Sequence, residues 1–131
     1  MAIREITTDQ APRSTSPLSQ GVRAGELLFA SGQVGASPVT GGMVDGGIRE
    51  QTRQVMENLK AVLDAGGSSL DAILKTTCFL TDMNDFAAFN EVYAGFFSGR
   101  RPARSAIEVA RLAGSYVVEV EAIAVVAEEV G

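Results

Sequence analysis

One arginine and three glutamates near the end of the chain have the types and spacing to handle a small anion. Arg104, Ala106 and Glu108 alternate onto one face of the segment Ala103 to Val109, with Ala103, Ser105, Ile107 and Val109 on the other. Beyond a turn around Leu112 to Ser115 comes the apolar run Val117 to Val126, which has the length and β-branched content of a strand buried on both faces. Glu119 and Glu121 interrupt it on the side of Val117, Ile123 and Val125. A desolvated, unpaired polar group costs roughly 2–7 kcal/mol even when neutral, so these carboxylates need a partner or a task. A guanidinium set into a sheet suits a planar anion such as a carboxylate, gripped by a bidentate fork. A buried glutamate can serve as the general base that activates water. The residues alone leave two readings open: a structural Arg–Glu network, or a site where water attacks a small carboxylate substrate. A symmetric hairpin about Ala113-Gly114 would set Glu119 opposite Glu108 rather than Arg104. That register would free Arg104 for a ligand and raise the pKa of one of the two facing carboxylates.

Composition removes most other chemistry. The 131 residues include no histidine, which excludes Ser-His-Asp and Cys-His nucleophile systems and any His-ligated metal. The lone Cys78 cannot build a thiolate zinc site or an intrachain disulfide, and it reads as a small buried hydrophobe. No Asp/Glu cluster has convincing metal-ligand spacing, so no metal is expected. A net charge of −5 argues against nucleic acid as the main partner. No window approaches the ~20 apolar residues of a membrane span, and Met1 to Gln20 has no apolar signal core. A cytoplasmic location and a single domain over residues 1–131 are the expectations.

The elements that must carry these residues follow from periodicity. Arg4 to Thr7 reads as a short edge strand. Val22 to Ala24 and Leu27 to Ala30 form a hairpin about Gly25-Glu26, and Gly35 to Gly47 is a loop. Ile48 to Ala65 is a helix by the spacing of Ile48, Val55, Met56, Leu59, Val62 and Leu63, with Asp45 as a candidate cap and Gly66-Gly67 as its stop. Ile73 to Thr81 is a strand with Leu74, Thr76, Cys78 and Leu80 on one face. Asp85 to Phe97 is a second helix, with Asn90 beside its stripe of Phe86, Phe89, Tyr93, Phe96 and Phe97. Strands Ala103 to Val109 and Val117 to Ala127 complete an α+β sandwich with both helices on one face. The Val, Ile and Thr positions on the other face call for self-association.

Four blocks, in order along nearly the whole chain, resemble the RidA/YjgF family of reactive-intermediate deaminases. They are Ser31-Gly32-Gln33, Asn84-Asp85-Phe86 with Asn90, Pro102 to Ser105 with Glu108 to Leu112, and Glu119 to Ala124. The resemblance implies a chorismate-mutase-like fold, with a six-stranded mixed sheet, assembled as a homotrimer with clefts between subunits. It implies cofactor-free hydrolysis of 2-imino acids, or their enamine tautomers, to 2-keto acids and ammonia. The arginine matching Arg104 would hold the substrate carboxylate and the glutamate matching Glu119 would position the water. Residues matching Ser31, Gly32 and Asn90 would line the cleft. Two lining positions depart from the family pattern, with Leu18 in place of a tyrosine and Ala106 in place of a cysteine, and the segment between Phe97 and Pro102 is shorter than usual. Those departures motivate an alternative, a small-carboxylate-binding or regulatory trimer that has lost turnover. RNA cleavage, attributed to some relatives, fits the acidic balance less well.

Overall fold

A computed structural model of the chain describes residues 2–126. Strands β1 (Ile3–Ile6), β2 (Gly21–Ala24), β3 (Leu27–Val34), β4 (Ile73–Leu80), β5 (Ala103–Glu108) and β6 (Val118–Val125) form one sheet with the order β1-β2-β3-β6-β4-β5. Helices α1 (Ile48–Ala65) and α2 (Phe86–Ala94) pack on one face, giving the α+β architecture expected from the sequence. All pairings are antiparallel except β4 with β5, which run parallel with α2 in the crossover between them.

The core lies between α1 and the inner sheet face. Val55, Met56, Leu59, Val62 and Leu63 are fully buried against Leu28, Ile73, Val118, Val120 and Ala124. Each of the valine, leucine, isoleucine and methionine side chains among them contributes about 1.5–3 kcal/mol from burial. The start of α1 is satisfied by Glu50, whose carboxylate accepts from the Gly47 N–H at 2.9 Å, so Glu50 and not Asp45 does the capping. Its fully buried Asn58 donates to the Val34 and Ala36 carbonyls, at 3.1 and 2.9 Å, and ties the glycine-rich loop to the helix. No described helix is long and apolar enough to cross a membrane.

Several boundaries and one register differ from the sequence reading. The second helix begins as a 3-10 turn, Met83–Asp85, capped where Asp82 accepts from the Asn84 N–H, and it ends at Ala94, three residues before Phe97. An irregularity between Ile73 and Lys75 turns Ile73 inward, so Leu74 is 43% exposed rather than sharing the face of Thr76 and Cys78. The last strand ends at Val125, and Ala127, included in the expected strand, lies outside the described residues.

The hairpin between the last two strands does not form. β4 lies between β5 and β6, so Glu119 pairs with Phe79 and Val34, and Arg104 pairs with Thr76. Parallel pairing of β5 on β4 sends the following connection past the edge of β4 to reach β6 on its far side. Glu108 and Glu119 therefore do not face each other. The β6 strand is buried on one face only, with Val118, Val120, Ala122 and Ala124 inside and Glu121 exposed.

Candidate active site

The Arg104 guanidinium is held from one side by α2. β5 is an edge strand, and its register with Thr76 and Cys78 turns Arg104 and Ala106 toward the helices. Helical spacing brings Phe86, Phe89, Asn90 and Tyr93 to one face of α2. The three rings stand 5.4, 5.8 and 5.1 Å from the guanidinium carbon, and the Asn90 Oδ1 accepts from an Arg104 N–H at 2.7 Å. Each cation–π contact at a partly exposed site adds about 0.5–1 kcal/mol. Below them the Tyr93 hydroxyl and Thr76 Oγ1 share a hydrogen bond of 2.7 Å. Burial raises the Tyr93 pKa, against the pull of that hydrogen bond and of Arg104. The result is a guanidinium oriented by one amide and three rings, in no ion pair among the described residues. It lines a cleft of about 380 Å³ with Asn90, Tyr93, Ala94, Arg101 and Pro102.

Glu119 belongs to a second cluster. Between the paired positions Ala30–Ala122 and Gln33–Val120, Ser31 and Gly32 together oppose the single residue Glu121. This β-bulge lays the Gly32 backbone against Glu119: a Cβ on Gly32 would sit 2.8 Å from the Glu119 Cδ and 2.8 Å from its Oε2. Burial, and then the negative charge of Glu121, push the Glu119 pKa above the ordinary carboxylate range. The Ser31 hydroxyl donates to the Ser19 carbonyl at 2.6 Å, and its N–H donates to the Gln20 carbonyl at 3.0 Å. Gln20 in turn holds Thr8, Ala11 and Pro12 through its side-chain amide. The serine thus anchors the segment that carries Leu18, which is 54% exposed.

The two clusters are on opposite faces. Thr76, the strand partner of Arg104, is buried under the helices, whereas Glu119 alternates with the buried Val118 and Val120 and so emerges on the far side. Asn90 and Ala106 accompany Arg104, and Ser31 and Gly32 accompany Glu119. Glu108 serves neither, since its carboxylate accepts from the Met83 N–H at 2.9 Å and so ties β5 to the turn before α2. Among the described residues no three His, Cys, Asp or Glu side chains gather as a metal-binding group.

A family model described as Endoribonuclease L-PSP matches residues 8–126. The chain belongs to this family, the RidA/YjgF family of its motifs. A "RutC family protein" of Pyrococcus horikoshii is 51% identical over 119 residues, 91% of this chain and 94% of that protein. The "2-iminobutanoate/2-iminopropanoate deaminase" of Mus musculus is 44% identical over 120 residues, covering 92% of this chain and 89% of the mouse protein. Among solved structures, E. coli TdcF with bound serine superposes with a TM-score of 0.90 at 42% identity, covering 95% of this chain and 99% of that one.

Ala106, at the position where the sequence reading expected the resembled pattern to carry a cysteine, is directly in register with Cys78 on β4. Cys78 is fully buried behind it, and burial pushes its thiol up to about 11, against the pull of its Thr76 hydrogen bond and of Arg104. A fully buried thiol held in its protonated form is a poor nucleophile at neutral pH. Sequence reasoning placed Phe86, Phe89 and Tyr93 in the core and missed their contact with Arg104. Their signal was the spacing around Asn90, which sets the amide and three rings on one side of a helix. It also gave Arg101 no role in the cleft.

Proposed function

We propose that this chain is a cofactor-free deaminase that hydrolyses 2-imino acids, or their enamine tautomers, to 2-keto acids and ammonia. The observation that carries this reading is the Arg104 guanidinium, oriented by Asn90 and three rings, at an open cleft with no carboxylate paired to it. Such a group recognises a planar anion through two parallel N–H···O bonds. The mouse deaminase and the serine-bound TdcF, both more than 40% identical to this chain, support an amino-acid-derived ligand.

Because Arg104 and Glu119 leave opposite sheet faces, one chain does not offer both to one small molecule. We infer that copies of the chain associate through the open sheet face, as a homotrimer, so that Glu119 of one copy meets Arg104 of the next. The exposed Phe29 and Leu27 on that face support this assembly. Arg104 and Asn90 would then fix the substrate carboxylate, and Ser31 and Gly32 would shape the wall beside Glu119. Leu18 would form the rim and Ala106 the floor.

In the reaction the Glu119 carboxylate takes a proton from water as the water oxygen bonds to C2 of the imine. The C=N π electrons move to nitrogen, which takes up a proton. The resulting carbinolamine loses ammonia as its hydroxyl proton leaves and the C2=O bond forms. Water is consumed, one ammonia is released, and no redox change occurs. A Glu119 with a raised pKa is suited to both halves of this exchange, since it can hold the proton between them. The test is hydrolysis of 2-iminopropanoate or 2-iminobutanoate generated in situ. Acceleration over buffer that disappears in Arg104→Ala is expected, and no acceleration across several side chains would overturn the reading.

A second reading is a small-carboxylate-binding or regulatory protein, favoured by the aliphatic Leu18 and Ala106 at positions where the family pattern has a phenol and a thiol. Keto-acid binding without turnover would select it.

A further inference from the structure

A second arginine lines the cleft beside Arg104. It is Arg101, three residues earlier, with buried Pro102 between them. The proline ring fixes its own backbone and restricts Arg101 to extended conformations, so the two arginines enter the cleft from a stiff segment. The neighbouring Arg100 is used otherwise: its guanidinium donates to the Asp71 and Ile73 carbonyls, at 2.6 and 2.8 Å, and pins the start of β4. Arg101 makes no ion pair among the described residues, and no aspartate or glutamate lines the cleft. A chain of net charge −5 thus carries two positive charges and no negative one in this cleft. Glu119 of a neighbouring copy would bring one negative charge against these two, so the assembled site stays net positive, and a positive pocket concentrates anionic ligands. One guanidinium suffices for one carboxylate, and the second is left for a second anionic group.

We propose that Arg101 is a specificity residue that selects ligands with a second carboxylate on the side chain, so that the preferred substrates are 2-imino dicarboxylates. The α-carboxylate sits on Arg104 and Asn90, and the distal carboxylate reaches Arg101 at the mouth of the cleft. This rests on the proposed assignment of Arg104 as the carboxylate holder, but it concerns binding and not turnover. Arg101 is exposed, so its contribution is that of a solvent-screened pair rather than a buried one.

Calorimetry on the full-length protein tests it with two keto acids of the product class, 2-oxobutanoate and 2-oxopentanedioate. The wild type is expected to bind the dicarboxylate about fivefold more tightly, a preference that narrows as sodium chloride is added. Arg101→Ala removes the preference by weakening 2-oxopentanedioate more than 2-oxobutanoate, and Arg101→Lys restores most of it. Arg104→Ala loses both acids. Wild-type affinities that agree within about twofold overturn the proposal, as does an Arg101→Ala variant weakened equally toward both acids. The readout needs no catalysis, so a protein that fails to deaminate still decides the question. If Arg104→Ala binds both acids normally, the Arg104 assignment fails instead.

Discussion

The Gly32 backbone lies against the Glu119 carboxylate so closely that a methyl group on Gly32 would stand 2.8 Å from the carboxylate carbon. The neighbour in the way is the side chain proposed to move the proton, and as the far end of a flexible glutamate it can swing aside. Gly32→Ala should therefore cost little stability, under about 1 kcal/mol, while displacing the carboxylate and abolishing most imine hydrolysis. Keto-acid binding should fall less than the rate, because the carboxylate is gripped by Arg104 and Asn90, which Gly32 does not touch within the chain. Urea unfolding, calorimetry and rate assays on one preparation separate these outcomes.

The pH dependence should carry the mark of Glu119. Burial and the neighbouring Glu121 charge raise its pKa within one chain, and in the proposed site the substrate carboxylate neutralises the Arg104 of the next copy, so the acid limb of the kcat profile should lie above the ordinary carboxylate range. Glu121→Gln removes one of the two causes and should shift that limb to lower pH without abolishing activity. The linked stability effect has a definite sign. A folded pKa above the unfolded one gives a contribution that is full below the unfolded pKa and is lost as pH rises through the folded pKa. Glu119→Gln should therefore be more stable relative to wild type at pH 7 than at pH 4, in matched urea titrations.

Asn90 should act through Arg104. Removing the 2.7 Å hydrogen bond leaves the guanidinium held by rings alone, which fix its distance but not its rotation. A hydrogen bond to a charged group is worth about 1.5–3 kcal/mol. Asn90→Ala should thus weaken keto-acid binding by roughly tenfold or more, with a smaller effect on the melting temperature than a core truncation. Leu59→Ala, in the fully buried face of α1, should cost about 2–5 kcal/mol by comparison.

Complementation tests the shared site directly. Arg104→Ala and Glu119→Gln should each be inactive alone. Unfolded together and refolded at equal concentration, they should regain roughly a quarter of wild-type activity, since three-quarters of random trimers are mixed and each mixed ring has one intact junction of three. No recovery would mean that one chain supplies both groups or that the assembly is different.

Much of the local structure was legible in the sequence. The helix Ile48–Ala65 agrees at both ends because a long apolar stripe and a glycine stop reinforce each other. The strand boundaries of β4 and β5 came within a residue. Pairing order was not legible, because the segment from Val109 to Val117 can close a hairpin or pass a neighbouring strand equally well. That ambiguity hid the separation of Arg104 from Glu119, which depends on β4 lying between them. Leu74 was misplaced because a single irregular residue shifts a period-two pattern. The Arg104 cradle went unseen for a different reason: aromatic residues on a helix look the same whether they pack on leucine or on a guanidinium.

The sidedness of the sheet has a consequence for dosage. On the proposed assembly an isolated chain holds both reacting groups yet can use neither, so activity arises with association and not with folding. Specific activity should then fall when the protein is diluted below the concentration at which copies separate, while the folded content of each chain changes little. Catalytic output in a cell would rise more steeply than the amount of polypeptide made, giving the protein a threshold of abundance below which it is folded but silent.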